Sequence, residues 1–282
     1  MVAPTDVGLA ATPRRRVEGL RREEVAEIVG LSTDYYVRLE QGRAHHPSDA
    51  VLEALSRALL LGPAERTHLQ NLAHASHLTP TGPREPRHRT ALRASLRHIV
   101  CGIHHAPAMI MNERSDVLAW NTLATLLIAD FPKIPAPQRN MAWQIFLNPR
   151  AREVHPDWDD AARTTVGVLR MAAGRYPQDA PLKHLVGELT GGSQAFAKLW
   201  ATQYVHEKTH GTKTFNNELT GTISLRYETF ILPSPVDHQV LVIYTAAPNS
   251  AEQDLLVRLN KQVAARKAEP AAASTTSLTR NT

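Results

Sequence analysis

The sequence predicts an α+β protein: an all-helical N-terminal bundle joined to an antiparallel sheet covered by helices on one side. Three observations carry that reading. Apolar residues recur at helical spacing through residues 20–75, a proline-rich break follows at 79–88, and the remainder reads as short strands, then helices, then strands again. The 282 residues, 43% of them apolar, suffice for two domains that each bury a core.

Residues 20–43, LRREEVAEIVGLSTDYYVRLEQGR, contain two short amphipathic patterns. In the first, Val25, Ile28 and Val29 stand at i, i+3 and i+4, while Arg21, Arg22, Glu23, Glu24 and Glu27 fall mainly elsewhere. Gly30 follows, where a left-handed backbone is least costly, and Ser32 stands where a hydroxyl caps the next helix. In the second pattern Tyr36 and Leu39 turn inward against Val25 and Leu20, which leaves Thr33, Asp34, Val37 and Arg38 outside. Two helices meeting at a sharp angle, with the first part of the second free to meet base edges, form a helix-turn-helix arrangement. Any helical hairpin with a solvated polar face shows the same periodicity. Pro47-Ser48 opens a third helix with the stripe Val51, Leu52, Leu55 and Leu59, and Gly62-Pro63 ends it and starts a fourth.

The expected domains are 1–78, a linker at 79–88 with three prolines and a glycine, 89–260, and a disordered tail at 261–282 whose Ala, Ser and Thr show no apolar face. In the second domain, 108–112 and 116–120 are compatible with a pair of strands. Helical faces come next: Trp120, Leu123, Ala124 and Leu127; Leu182, Leu185, Val186 and Leu189; Phe196, Leu199, Trp200 and Tyr204. From Leu219 to Ile231, Ile223, Leu225 and Tyr227 alternate with Thr222, Ser224 and Arg226; the apolar run Val240–Tyr244 comes after a turn at Pro233–Asp237.

Charge and composition bound the function. The net charge of +5 is not concentrated in the helical bundle, where residues 1–76 hold nine arginines against ten carboxylates. It gathers in residues 77–98, with Arg84, Arg87, Arg89, Arg93 and Arg97 against Glu85. Phosphate contact then falls to local groups such as Arg14–Arg16, Arg38, Arg43 and this arginine-rich stretch, although a solvated linker accounts for its arginines equally well. The lone Cys101 leaves no internal disulfide, and no leader or membrane-length apolar run is present. A cytoplasmic protein without membrane contact is expected.

His206-Glu207-Lys208-Thr209-His210 fits H-E-x-x-H, the helical zinc site of metallopeptidases. That chemistry needs both histidines one turn apart on a helix, whereas Gly211-Thr212-Lys213-Thr214 reads as a strand beginning, so a chance match is the plainer reading. The remaining histidines share no metal spacing, and neither a phosphate-binding glycine loop nor a nucleophile elbow occurs. No cofactor, metal or catalytic residue is expected. Large side chains that would line a ligand pocket are Trp120, Trp143, Phe146, Trp200, Tyr204 and Tyr227, all equally explicable as core; Arg226 or Lys213 could meet a carboxylate.

The string Leu39-Glu40-Gln41-Gly42-Arg43 resembles the end of the recognition helix in phage-repressor-like helix-turn-helix proteins. By that resemblance Ser32, Thr33, Asp34 and Arg38 form the DNA-facing start of the second helix, and Arg43 meets phosphate. With VLAWN at 117–121, PDW at 156–158, GTK at 211–213, YET at 227–229 and YTAAP at 244–248, the chain resembles the MmyB-like transcriptional regulators of actinobacteria from about Val7 to Leu256. The resemblance implies a PAS-like domain holding a small apolar ligand, a fatty acid by type. It also implies a further helix upstream of Asp6–Arg16, so the bundle is expected to lack its first helix and to uncover Leu20, Val25 and Leu55. Asn217-Glu218 and Gln203 stand where the family often has His-Pro and His. The expected partners are double-stranded DNA, bound as a homodimer, and the ligand. The rival readings are a zinc peptidase using His206, Glu207 and His210, and an interaction module that no longer holds DNA.

Overall fold

The computed structural model describes residues 2–9, 17–44, 47–75, 92–206, 208–233 and 238–268. The elements in chain order are α1 (Arg22–Val29), α2 (Thr33–Glu40), α3 (Asp49–Ala58), α4 (Pro63–Ala75) and α5 (Ala94–Gly102). Strands β1 (Ala108–Asn112) and β2 (Val117–Trp120) follow, then α6 (Thr122–Leu127), α7 (Met141–Phe146), α8 (Ala151–Val154), α9 (Trp158–Arg175), α10 (Ala180–Gly192) and α11 (Gln194–Ala201). The chain then forms β3 (His210–Asn217), β4 (Gly221–Leu232), β5 (Gln239–Thr245) and α12 (Ala251–Ala268). Two compact units result: residues 1–88 with 166–207, and residues 89–165 with 208–282.

In the first unit, α1 ends at Gly30 with φ 75°, a left-handed geometry that glycine adopts without a Cβ clash. The Ser32 and Ser48 hydroxyls cap α2 and α3 by accepting from Tyr35 N and Val51 N. Val25, Ala26, Leu52, Leu55 and Ala58 form the buried core of the bundle. The uncovering expected of this core is not seen: Val25 and Leu55 are 3% and 4% exposed, enclosed where α1 meets α3. Leu20 is half-buried beside a groove that Val17, Tyr36 and Leu59 also line. The expected stop at Gly62 shifts as well. Helix α3 ends at Ala58, and Leu60 rather than Gly62 takes the left-handed turn at φ 52°.

The second unit is built on one sheet of order β2-β1-β5-β4-β3, antiparallel throughout. Period-two alternation sends Met109, Met111, Phe215, Ile223, Leu225, Tyr227, Val242 and Tyr244 to one face, where α6 and α12 pack on them through Leu123, Leu127, Leu256 and Leu259. Ala108, Ile110, Leu241 and Ile243 point the other way, against Leu96 and Val100 of α5. The one-sided covering expected from sequence is therefore corrected: α5, which begins inside the arginine-rich stretch, covers the opposite face beside β1 and β2. Arg97 there donates to Leu118 O at 3.4 Å. Helix α12 also continues to Ala268, past residue 260 where the tail was expected to begin, because Leu255, Leu256 and Leu259 recur at helical spacing and seat it on the core. Residues 269–282 and the turn at 234–237 lie outside the described residues.

Asn121 fixes the junction between sheet and helices. Its Oδ1 accepts from Ala108 N at 3.1 Å and Ala124 N at 2.9 Å. Its Nδ2 donates to Ile103 O and Ala106 O, both at 2.7 Å. Every polar valence of a side chain only 4% exposed is used. The extended backbone of Asn121 also ends β2, so Trp120 belongs to the strand and not to the helical face with Leu123. Asn140 repeats the device at α7, accepting from Ala142 N and Trp143 N while donating to Arg114 O and Asp116 Oδ1.

Replacing Asn121 by alanine removes a cap worth about 1 kcal/mol and strands three buried backbone groups. We expect Asn121→Ala to cost about 2–4 kcal/mol in chemical denaturation; a loss below about 0.5 kcal/mol, the range of ordinary surface changes, contradicts the assignment.

Candidate DNA interface and ligand site

The outer face of α2 is open. Thr33, Asp34 and Arg38 are exposed, and Arg38 Nε lies 3.4 Å from Asp34 Oδ2, a solvent-accessible pair that contributes little and separates readily. The Arg38 guanidinium also lies 5.9 Å from the Tyr35 ring centroid. Ser32 has its hydroxyl committed to the cap. Arg43 is exposed beyond the left-handed Gly42, its backbone N–H bonded to Arg38 O at 2.7 Å. An Arg22–Glu40 ion pair ties α1 to the end of α2. Tyr36, half-buried behind it, has a hydroxyl pKa raised by burial and then by the Glu40 carboxylate. Arg14–Arg16, Arg84, Arg87 and Arg89 lie outside the described residues.

The H-E-x-x-H match does not form a helical site. His206 precedes β3 and His210 is its first residue, so the spacing of one helical turn is absent; Glu207 lies outside the described residues. The rings engage neighbours instead, His206 Nδ1 at 3.3 Å from Tyr204 Oη and His210 Nδ1 at 3.0 Å from Thr209 Oγ1. Among the described residues no three potential metal-ligating side chains cluster, and no helix is long and apolar enough to cross a membrane.

The six large side chains singled out as pocket candidates are divided between the two compact units. Trp120 and Tyr227 join the inner-face core, with Trp120 5.2 Å from the Phe131 ring. Trp143 and Phe146 sit half-buried on α7, Phe146 edge-on to Trp158 at 5.7 Å. Trp200 belongs to the other compact unit, stacked on Phe196 at 5.5 Å and covered by the Arg170 guanidinium at 3.7 Å. Tyr204 falls beyond α11, which stops at Ala201 before the left-handed Gln203, and is 44% exposed.

A different group gathers around Tyr227. Phe215, Tyr227 and Tyr244 form a ring cluster, with Tyr244 5.4 Å from Phe215 and 6.0 Å from Tyr227. Lys208 Nζ lies 4.5 Å from the Tyr227 centroid and 5.9 Å from that of Tyr244; Lys213 Nζ lies 5.9 Å from the Phe215 centroid. Both lysines are half-buried. Burial lowers the Lys208 pKa to about 7, with Lys213 adding repulsion. Burial lowers that of Lys213 to about 8, against a partial restoring pull from Asp160. His155, only 4% exposed and 5.8 Å from Phe215, is pushed to about 3 by burial and then by both lysines. Burial raises the Tyr244 hydroxyl, with Tyr227 adding to it. Sequence parity places Lys213 on the face of Phe215, two residues on; Lys208 lay hidden inside the metal-like motif, and nothing local marked His155.

The helix-turn-helix presents an exposed α2 face, and the second unit is built on a five-stranded sheet. The family model for the MmyB-like transcription regulator ligand binding domain matches residues 92–259, and that for a helix-turn-helix domain matches residues 8–69. No curated protein matches the chain. The chain belongs to the MmyB-like transcription regulators, and is a non-enzymatic, DNA-binding transcription factor with a ligand-sensing domain.

Two half-buried lysines with depressed pKa values give this unit an expected pH dependence. A lysine whose folded pKa is depressed holds fewer protons folded than unfolded, so stability rises with pH from about 7 for Lys208 toward the ordinary lysine value of 10.5. Lys208→Met removes the penalty and is expected to raise the melting temperature of the ligand-free protein by about 2–4 °C at pH 6.5. The gain should shrink above pH 10. An equal gain at both pH values contradicts the buried-charge account.

Proposed function

We propose that the chain is a cytoplasmic homodimeric regulator, in which Thr33, Asp34 and Arg38 read an operator, Arg43 meets phosphate and Ser32 positions the helix start. The recognition face is carried by residues 1–78 and ligand sensing by 89–260. The single observation that carries the DNA reading is the exposure of Thr33, Asp34 and Arg38 along one free face of α2, directly after the Ser32 cap. A helix held in this way offers its first turns to the major groove, where an arginine can pair with guanine N7 and O6. Two copies on a two-fold axis would match paired half-sites.

For the second domain we propose a PAS-like sensor of a small apolar molecule, a fatty acid in the leading reading. The β2-β1-β5-β4-β3 order and the helices packed on its inner face support the PAS-like description, and the family resemblance supports the fatty acid. Tyr227 and Trp120 are the sequence-derived candidates that lie in that inner core.

Operator DNA selected from random fragments by the full chain tests the first half. Arg38→Ala should weaken it by about 1–3 kcal/mol and relax the preference at one position, whereas Arg43→Ala should weaken all sequences alike and shallow the salt dependence. Unaltered affinity in both variants removes the assignment. Mass spectrometry of the purified protein tests the second half: recovery of a long-chain acid supports the fatty-acid sensor, and consistently empty protein counts against it.

A further inference from the structure

We propose that the His68 ring, seated in the notch that Gly174 leaves in α9, is a releasable latch that holds α4 of the DNA-binding bundle, and that its closed and open forms bind operator unequally. The inference rests on the regulator reading and deepens it by assigning the contact through which DNA affinity is adjusted.

A glycine inside a helix weakens it and needs a reason in the space around it. At Gly174 the reason is His68: a Cβ added there would stand 2.6 Å from the ring's Nδ1 and closer still to its Cε1, so only bare backbone admits the ring. Gly167, two turns earlier on the same face of α9, lies in the same way against the backbone of His206. Between the two glycines, the Arg170 guanidinium covers the Trp200 ring at 3.7 Å and donates to Trp200 O. One face of α9 is thereby shaped to receive the segment leading out of α11 and a single side chain of α4.

The second of these contacts is poorly satisfied. His68 Nδ1, Asn71 Nδ2 about one turn on in α4, and Arg170 Nε are buried with no hydrogen-bond partner among the described residues. Water would satisfy each of them if the seam opened. Charge acts in the same direction, because Arg170 is the charged group that acts on the ring from α9, while Arg66 of α4 is paired with Glu53 of α3 at 3.3 Å. Burial and then Arg170 lower the ring's pKa, so His68 sits there neutral. A contact with close steric fit and unsatisfied polar atoms is held closed by a small margin, which suits release better than permanent packing.

Its position links it to sensing. Helix α9 runs unbroken from Trp158 to Arg175; residues 158–165 belong to the sheet-based unit and 166–175 to the unit that holds the bundle. Trp158, only 8% exposed, anchors the start of the helix by donating from Nε1 to Ile145 O at 2.9 Å. A ligand that favours one position of that end biases the notch at the other through continuous helical backbone.

The test uses the full chain with Cys101→Ser and nitroxide labels at Glu27→Cys, in the bundle, and Lys183→Cys, on α10, both exposed positions. Pulsed electron resonance should give one dominant distance in the otherwise wild-type protein. His68→Ala empties the notch and Gly174→Leu fills it; each should broaden the distribution, and the double variant should go no further than either. Affinity for the selected operator should change by the same factor in all three, about fivefold or more. Saturating dodecanoate should shift the wild-type distribution and leave that of Gly174→Leu unmoved.

The closed distance persisting in both single variants overturns the latch. So does additive broadening, since unconnected changes add. Broadened distances with unchanged operator affinity overturn the regulatory role, and dodecanoate that binds without moving the wild-type distribution overturns the route through α9. Absence of dodecanoate binding counts instead against the apolar-sensor reading, and the variants still decide the latch. His68→Ala decides it alone if Gly174→Leu fails to fold.

Discussion

Burial of β1 on both faces is the constraint on which the second unit depends. Each residue from Ala108 to Asn112 is enclosed, alternately by the inner core and by α5. A strand in that position has no solvated side to absorb misregister, so its neighbours must be fixed by directed contacts as well as by apolar area. Asn121 supplies them at one end, bonding the first residue of β1, the approach to it and the first turn of α6 with a single side chain. Asn140 does the same for the loop between β1 and β2. Both asparagines are sequence breaks that become structural joints.

Such a frame has consequences for the inner face. Once β3, β4 and β5 are held in register, parity alone turns Phe215, Tyr227, Tyr244 and the Lys213 side chain toward one volume. Lys208, just ahead of β3, joins them, and His155 enters from the segment before α9. Apolar rings beside the two lysines raise the cost of carrying charge there. In a ligand-sensing domain a ligand shifts a conformational balance only by as much as its affinity differs between the two forms.

Much of the architecture was legible from sequence because its signals are local. Gly30, Ser32 and Ser48 mark helix ends through backbone chemistry that needs no tertiary partner. The alternation of Ile223, Leu225 and Tyr227 reports one buried face. The features that the sequence did not reveal depend on distant contacts. Helix α5 and its approach carry Arg93 and Arg97 and resembled a solvated linker until Leu96 and Val100 met the sheet. Tyr204 fits a helical face by spacing, but the left-handed Gln203 breaks that helix before reaching it. The charged part of the candidate site was the least visible: Lys213 shows only its parity with Phe215, Lys208 reads as the middle of a metal motif, and His155 joins them only after the chain has passed α9, α10 and α11. The exposed face of α2 proposed to meet DNA was the most visible, since cap, apolar stripe and outward residues all fall within one short segment.

In a ligand-responsive regulator the inner-face site and the recognition helix must act on one equilibrium. The most direct measurement is the affinity of the full chain for a selected operator, with and without saturating dodecanoate. We predict a change of about fivefold or more in either direction, matched by an equal factor in dodecanoate affinity when operator is present. Operator affinity that stays the same while dodecanoate is bound would contradict this coupling.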